Sequence, residues 1–254
     1  MAGKPIVVAN WKMHPATRAD AKLLFAATKR IAEKQPSASI IVAPPSLYLS
    51  ELARGYRGRA LNFAAQHARE GDVGAFTGDI SMAQVKDGHA RYVLVGHAER
   101  RAAGESDEDT RKQIVSALAN GLLPILCVGE RQRDSGGEHL LFVKAQLRTA
   151  LFDVDEKTVA RVIIAYEPVW AIGAPEAMSP RQMHEMVIFI RKTIVEMRGA
   201  GGHNVKVLYG GAIDDTTAHG MVAEGDVSGL LVGRASTDAK EFSLLISSLS
   251  NKRS

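Results

Sequence analysis

Glu167 closes the apolar run Val162–Tyr166 and stands directly before Pro168. A carboxylate in that place has little structural reason to be there, and it has the chemistry of a general base. Asn10 and Lys12 follow the run Ile6–Ala9, and His97 and Glu99 follow the run Tyr92–Gly96. The chain thus offers a carboxylate, an imidazole, an ammonium and an amide, each at the end of a hydrophobic run. Gly210, Gly211 and Gly233 end two later runs. Glycine turns let backbone N–H groups approach an anion such as phosphate. No serine or cysteine stands beside a base as a nucleophile, and no Cys/His/Asp group has metal-ligand spacing. Base, electrophile and phosphate grip together fit proton abstraction next to a carbonyl.

The runs that carry these residues recur along the chain. They are Ile6–Ala9, Ser39–Ala43, Leu61–Ala65, Tyr92–Gly96, Leu123–Gly129, Val162–Glu167, Val205–Tyr209 and Gly229–Gly233. Each is short and nearly continuous in apolar residues, as strands buried on both faces are. Helical patterns lie between them. Ala19–Lys34 places Leu23, Leu24, Ala27 and Ile31 on one stripe, and Asp107–Ala119 carries Ile114, Val115 and Leu118 behind an acidic start. Ser179-Pro180 is a capping serine followed by proline at the first helical position, opening a helix with Met183, Met186, Val187, Ile190 and Ile194. Strand and helix alternate about eight times, which fits a doubly wound sheet or an eightfold barrel. A nucleotide-binding doubly wound sheet wants Gly-x-Gly-x-x-Gly after its first strand. Asn10-Trp11-Lys12-Met13-His14 stands there instead, which favours the barrel. In a barrel the C-terminal strand ends form the active face, where the reactive residues above would meet.

The bulk numbers agree. The 254 residues are 46% apolar and 24% charged, enough for one domain spanning 1–254 with no linker or composition shift to divide it. A net charge of +4 suits an anionic metabolite. No basic block with interleaved aromatics suggests nucleic acid. No run approaches the length of a membrane helix, the N-terminal run is too short for a signal peptide, and the cytoplasm is the default location. Cys127 is the only cysteine and reads as a small core residue.

Six segments carry a resemblance. They are Asn10-Trp11-Lys12-Met13, Gly96-His97-Ala98-Glu99-Arg100-Arg101, Cys127-Val128-Gly129-Glu130, Tyr166-Glu167-Pro168-Val169-Trp170-Ala171-Ile172-Gly173, Tyr209-Gly210-Gly211 and Leu231-Val232-Gly233. In this order they resemble the triosephosphate isomerase family across essentially the whole chain. The resemblance implies a single α/β (β/α)8 TIM barrel and a cofactor-free, metal-free isomerase of glycolysis and gluconeogenesis. Its substrate would be a small phosphorylated sugar. Glu167 would move the proton between two carbons, and His97 would polarise the carbonyl as a neutral imidazole whose pKa a helix N-terminus lowers, as is known for that family. Lys12 and Asn10 would stabilise the enediolate oxygen, and Glu99 would hold Lys12. Gly173, Gly211, Ala212, Gly233 and Arg234 would meet the phosphate, with Ile172 and Leu231 closing over Glu167. Pro168–Met178 would be the lid, with Pro168, Trp170, Tyr209 and Glu130 in the lid and its latch. Gly74-Ala75-Phe76-Thr77-Gly78 resembles the family's dimer loop. It implies a homodimer through 66–79, with Thr77 near the neighbour's site. Taken singly, Lys12 reads as a surface lysine, Glu99 as a solvated helix start and His97 as a core histidine. Gln66 and Glu105 read as supporting or interface polar groups.

Four positions depart from the family pattern: Ala98 and Ala212 stand for serines, 174–178 replaces the usual far hinge, and Arg234 replaces a glycine. Arg234 has two readings: a charge-assisted contact to phosphate, or an outward side chain paired with an acidic neighbour. Two other functions fit the residues as well: isomerisation of another ketose phosphate such as a tetrulose phosphate, or a catalytically weak barrel serving as an interaction protein.

Overall fold

The computed structural model describes residues 3–171 and 178–250. Eight parallel strands close on themselves in sequence order. They are β1 (Ile6–Asn10), β2 (Ser39–Ala43), β3 (Leu61–Ala65), β4 (Tyr92–Val95), β5 (Leu123–Val128), β6 (Ile163–Tyr166), β7 (Lys206–Tyr209) and β8 (Gly229–Val232). The ring closes where Ile6 of β1 pairs with Gly229 of β8. Helices alternate with them: α1 (Arg18–Lys34), α2 (Ser46–Gly55), α3 (Met82–Asp87), α4 (Ala98–Ala102), α5 (Asp107–Ala119), α6 (Glu138–Ala150), α7 (Pro180–Arg198), α8 (Ala218–Ala223) and α9 (Ala239–Ser248). This is the expected (β/α)8 barrel.

The alternation of side chains along each strand divides the core in two. Ile6, Val8, Ile41, Leu94, Ile125 and Leu208 fill the lumen. Val7, Ala9, Ile40, Val42, Val93 and Leu126 face outward, where helices cover them. Both faces are therefore dry, which is why the strand runs read as continuously apolar. The lumen parity also sets the site. Asn10 continues the Ile6–Val8 row and Glu167 continues the Ile163–Ala165 row, so both side chains emerge on the barrel axis at its C-terminal end.

Local signals explain the helix starts. Ser179 caps α7 by accepting the Gln182 N–H, Gln182 returns a bond to the Ser179 N–H, and Pro180 sits in the first turn. Met183, Met186, Val187, Ile190 and Ile194 are all buried, as their spacing predicts. On the other two stripes Ile31 and Ile114 are buried and Leu24, Ala27 and Leu118 half-buried, but Leu23 is 70% and Val115 39% exposed. Ala21 and Thr28 carry the inner face of α1, and Gln113 and Ala117 that of α5. Strand ends are also shorter than the apolar runs. Gly96, Gly129, Glu167 and Gly233 lie just past the last paired residues, because the chain turns there to present the site.

Candidate active site

Glu167 is held from two sides. Its N–H donates to the Val128 carbonyl at 2.8 Å, and Val169 N–H donates to the Glu130 carbonyl at 2.9 Å. The buried Glu130 carboxylate accepts from the Tyr166 hydroxyl at 2.8 and 2.9 Å and from Trp170 Nε1 at 2.8 Å. Burial and the Glu130 charge push the Tyr166 phenol well above its ordinary pKa, so it remains a donor. Glu130 thus ties down the residues on both sides of Glu167. Gly129 is obligatory beneath it, since a Cβ there would overlap the Glu167 carbonyl.

The Glu167 carboxylate reaches His97. Oε1 lies 3.2 Å from His97 Nε2, and Oε2 accepts the Ala98 N–H at 3.3 Å. The second bond is made by backbone, so the serine-to-alanine departure at residue 98 leaves it intact. Both side chains are buried: Glu167 is 3% and His97 6% exposed. Gly96, at φ +68°, turns the chain out of β4. His97 then caps α4, its Nδ1 accepting the Glu99 N–H at 3.2 Å. A ring nitrogen that accepts cannot carry the proton, so the neutral tautomer has its hydrogen on Nε2, facing Glu167. Burial opposes the imidazolium, but the adjacent Glu167 carboxylate outweighs it and the net pKa shift runs upward. The expected downward shift therefore does not hold while Glu167 rests against the ring.

Lys12 approaches from the other side. It sits at φ +51°, a left-handed conformation that non-glycine residues rarely adopt. The surrounding bonds impose it. Asn10 Oδ1 accepts the Lys12 N–H at 3.0 Å, and Gln66 Nε2 donates to the Lys12 and Ala43 carbonyls at 2.8 Å each. Lys12 Nζ pairs with Glu99 Oε1 at 2.5 Å. Burial raises the Glu99 pKa, but the bond and charge of Lys12 outweigh that and hold it below the ordinary range. Asn10 Nδ2 stands 3.5 Å from His97 Nε2. A Cβ on Gly233 would meet Lys12 Cε at 3.4 Å, an ordinary contact, so the end of β8 lies directly against the lysine stem.

These groups open into one cavity of about 630 Å³. Asn10, Lys12, His97, Glu167, Gly211, Ala212, Leu231, Gly233 and Arg234 all line it. Glu99 holds Lys12 from outside the lining. Tyr209, buried behind the turn, accepts the Met178 N–H at 3.3 Å. Burial raises its phenol pKa, so the hydroxyl also stays protonated. Ile172 and Gly173 lie outside the described residues, as does 174–177.

Some functional neighbours escaped the sequence reading. Cys127, fully buried, lies against Glu167; burial and that carboxylate push its thiol pKa well up. Asp214, Asp215 and Thr217 line the cavity from the loop between β7 and α8, and Glu241 from α9. Gln66 and Glu105, which the sequence does offer as supporting or interface polar groups, bond to backbone at the site: Gln66 Nε2 donates to the Lys12 carbonyl and Glu105 accepts the Gly96 N–H at 3.1 Å. No group of three or more His, Cys, Asp or Glu among the described residues could hold a metal ion.

The family profile described as triosephosphate isomerase matches residues 5–249. The chain belongs to the triosephosphate isomerase family. It is 38% identical over 247 residues to the triosephosphate isomerase of Caldanaerobacter subterraneus subsp. tengcongensis, covering 96% of this chain and 98% of that one. It is 41% identical over 240 residues to the Xylella fastidiosa enzyme of the same name, covering 93% and 95%. The Moorella thermoacetica enzyme is 34% identical over 245 residues, covering 96% and 98%. Family membership makes this chain an isomerase. The polar cluster at the barrel's C-terminal end is its candidate active site.

Proposed function

We propose that the chain interconverts dihydroxyacetone phosphate and D-glyceraldehyde 3-phosphate through an enediolate, with Glu167 as the base. The supporting observation is the buried pair of Glu167 Oε1 and His97 Nε2, 3.2 Å apart at the wall of the cavity. Glu167 swings from the ring to the substrate and takes a proton from one carbon. The C–H electrons form the enediolate double bond, and the carbonyl π electrons move to its oxygen. His97 Nε2–H, Lys12 Nζ and Asn10 Nδ2 stabilise that oxygen. His97 gives its Nε2 proton to that oxygen and takes one at Nε2 from the neighbouring hydroxyl, so the negative charge passes to the second oxygen. Glu167 then returns its proton to the neighbouring carbon as the second oxygen's electrons form the new carbonyl, so no atom is gained or lost. Once Glu167 leaves the ring, the largest upward push on the His97 pKa goes with it, and only the smaller one from the Glu99 carboxylate remains. Burial and the Glu99 N–H then keep the imidazole neutral, the form that can donate from Nε2.

Phosphate would sit against the turns of Gly211, Ala212 and Gly233, which line the same cavity. The reaction belongs to glycolysis and gluconeogenesis, in the cytoplasm. No helix among the described residues is long and apolar enough to cross a membrane. The working form is a homodimer through the segment 66–79. That loop is exposed yet braced: Arg69 Nη1 pairs with Asp79 at 3.1 Å, and its guanidinium lies 3.8 Å over the Phe76 ring. Val73 and Met13 are 93% and 90% exposed, which fits surfaces covered by a second copy.

Steady-state kinetics of Glu167→Gln on glyceraldehyde 3-phosphate test this function. Loss of a general base should lower kcat by about 10²–10⁴-fold with little change in KM. A kcat near wild type would remove Glu167 from the mechanism.

A further inference from the structure

Among the described residues lining the cavity, the cationic side chains are Lys12 and Arg234, against the carboxylates of Glu167, Asp214, Asp215 and Glu241. A substrate phosphate brings further negative charge into this company. Lys12 is already engaged by Glu99 at 2.5 Å and is placed at the reacting oxygens. Backbone N–H groups at Gly211, Ala212 and Gly233 offer only partial charges, and Ala212 has no hydroxyl to add.

Arg234 is differently placed. Its sequence position allows an outward side chain paired with an acid. Instead it lines the cavity, and no carboxylate among the described residues pairs with it. It directly follows Gly233, which lies against the Lys12 stem. The two cations therefore approach one cavity from neighbouring walls, one beside Glu99 and one at the mouth.

We propose that Arg234 is the phosphate-gripping and specificity-determining cation of this site, its guanidinium binding the phosphate group of the substrate. A planar fork of donors matches two phosphate oxygens at once, and a cation at a cavity mouth also draws in a dianion from solution. The grip replaces, from the eighth strand, what the seventh-strand turn lacks at Ala212. This rests on the reading of the cavity as a phosphosugar site.

The test compares wild type, Arg234→Met and Arg234→Lys, with inorganic phosphate as the direct binding probe. Arg234 is exposed, and thermal melts check that each variant is folded. Calorimetric titration with phosphate needs no turnover, so it reads the grip even if the assigned substrate is wrong. Arg234→Met should weaken phosphate binding about tenfold, raise KM for glyceraldehyde 3-phosphate by a similar factor and flatten the salt dependence of kcat/KM. Arg234→Lys should recover part of each. Phosphate affinity within twofold of wild type in Arg234→Met would overturn the proposal, as would a fall in kcat with phosphate affinity unchanged. Wild-type protein that binds phosphate through Arg234 but does not turn over glyceraldehyde 3-phosphate would sink the assigned reaction and leave the grip standing.

Discussion

His97 is bonded on both ring nitrogens by groups that ask opposite things of it. Nε2 faces the Glu167 carboxylate at 3.2 Å, which favours the charged ring, while Nδ1 accepts the Glu99 N–H at 3.2 Å, which favours the neutral one. The resting site therefore stores a proton-sensitive contact that the reaction must break.

That contact should be visible by titration. In wild type the His97 pKa lies above the ordinary histidine value, because Glu167 outweighs burial. In Glu167→Gln the largest upward push is lost, burial and Lys12 then oppose only the smaller push of Glu99, and the midpoint should fall. NMR titration of the His97 ring in both proteins measures this directly, and an unchanged midpoint would contradict the account. The sign for stability follows. With the folded pKa raised, the pairing stabilises the protein fully below the unfolded histidine pKa, and the contribution is lost as pH rises through the folded value.

Two glycines beside Glu167 should fail in different ways. A Cβ on Gly129 would overlap the Glu167 carbonyl, which is backbone and cannot yield. Gly129→Ala should destabilise the fold by about 1–3 kcal/mol or more. That lowers Tm by roughly 2–4 °C for each kcal/mol in a chain of this size. A Cβ on Gly210 would lie 2.8 Å from Glu167 Cγ, a side-chain atom that can move. Gly210→Ala should keep most of its Tm and lose kcat. Equal melting losses in the two variants would refute the distinction.

At the end of the seventh strand the Tyr209 hydroxyl accepts the Met178 N–H, and Ala212 in the following turn has no hydroxyl. Restoring a second with Ala212→Ser should tighten binding of a phosphate-bearing enediolate mimic severalfold, since one neutral hydrogen bond is worth about 0.5–1.5 kcal/mol. Tyr209→Phe should weaken it by a similar factor. If Ala212→Ser changes neither inhibitor affinity nor kcat/KM, the hydroxyl has no part in closure.

Oligomerisation should be sensitive to Val73 and insensitive to exposed apolar residues on the helical ring. A charge buried unpaired in an interface costs about 3–5 kcal/mol. Val73→Asp should therefore shift the sedimentation profile to monomer and reduce activity with it, while Leu23→Asp on α1 should do neither. A Val73→Asp protein that stays dimeric would place the interface elsewhere.

The strand runs were legible because a parallel strand dry on both faces must be apolar throughout, and residues such as Asn10, His97 and Glu167 break that rule at its ends. The cap of α7 was legible because Ser179, Pro180 and Gln182 act within one turn. The partners of these residues were not. The Glu167–His97 and Lys12–Glu99 contacts join residues 70 and 87 positions apart, and the register with which eight strands close decides which side chains meet on the axis. Gln66 reaches the Lys12 carbonyl only because β3 lies two strands from β1. Leu23 and Val115, read onto the apolar stripes, are exposed, and the direction of Arg234 was open in sequence. Helical spacing puts residues on one stripe, but neighbouring helices decide which stripe is covered, and only the assembled barrel shows that Arg234 faces the cavity.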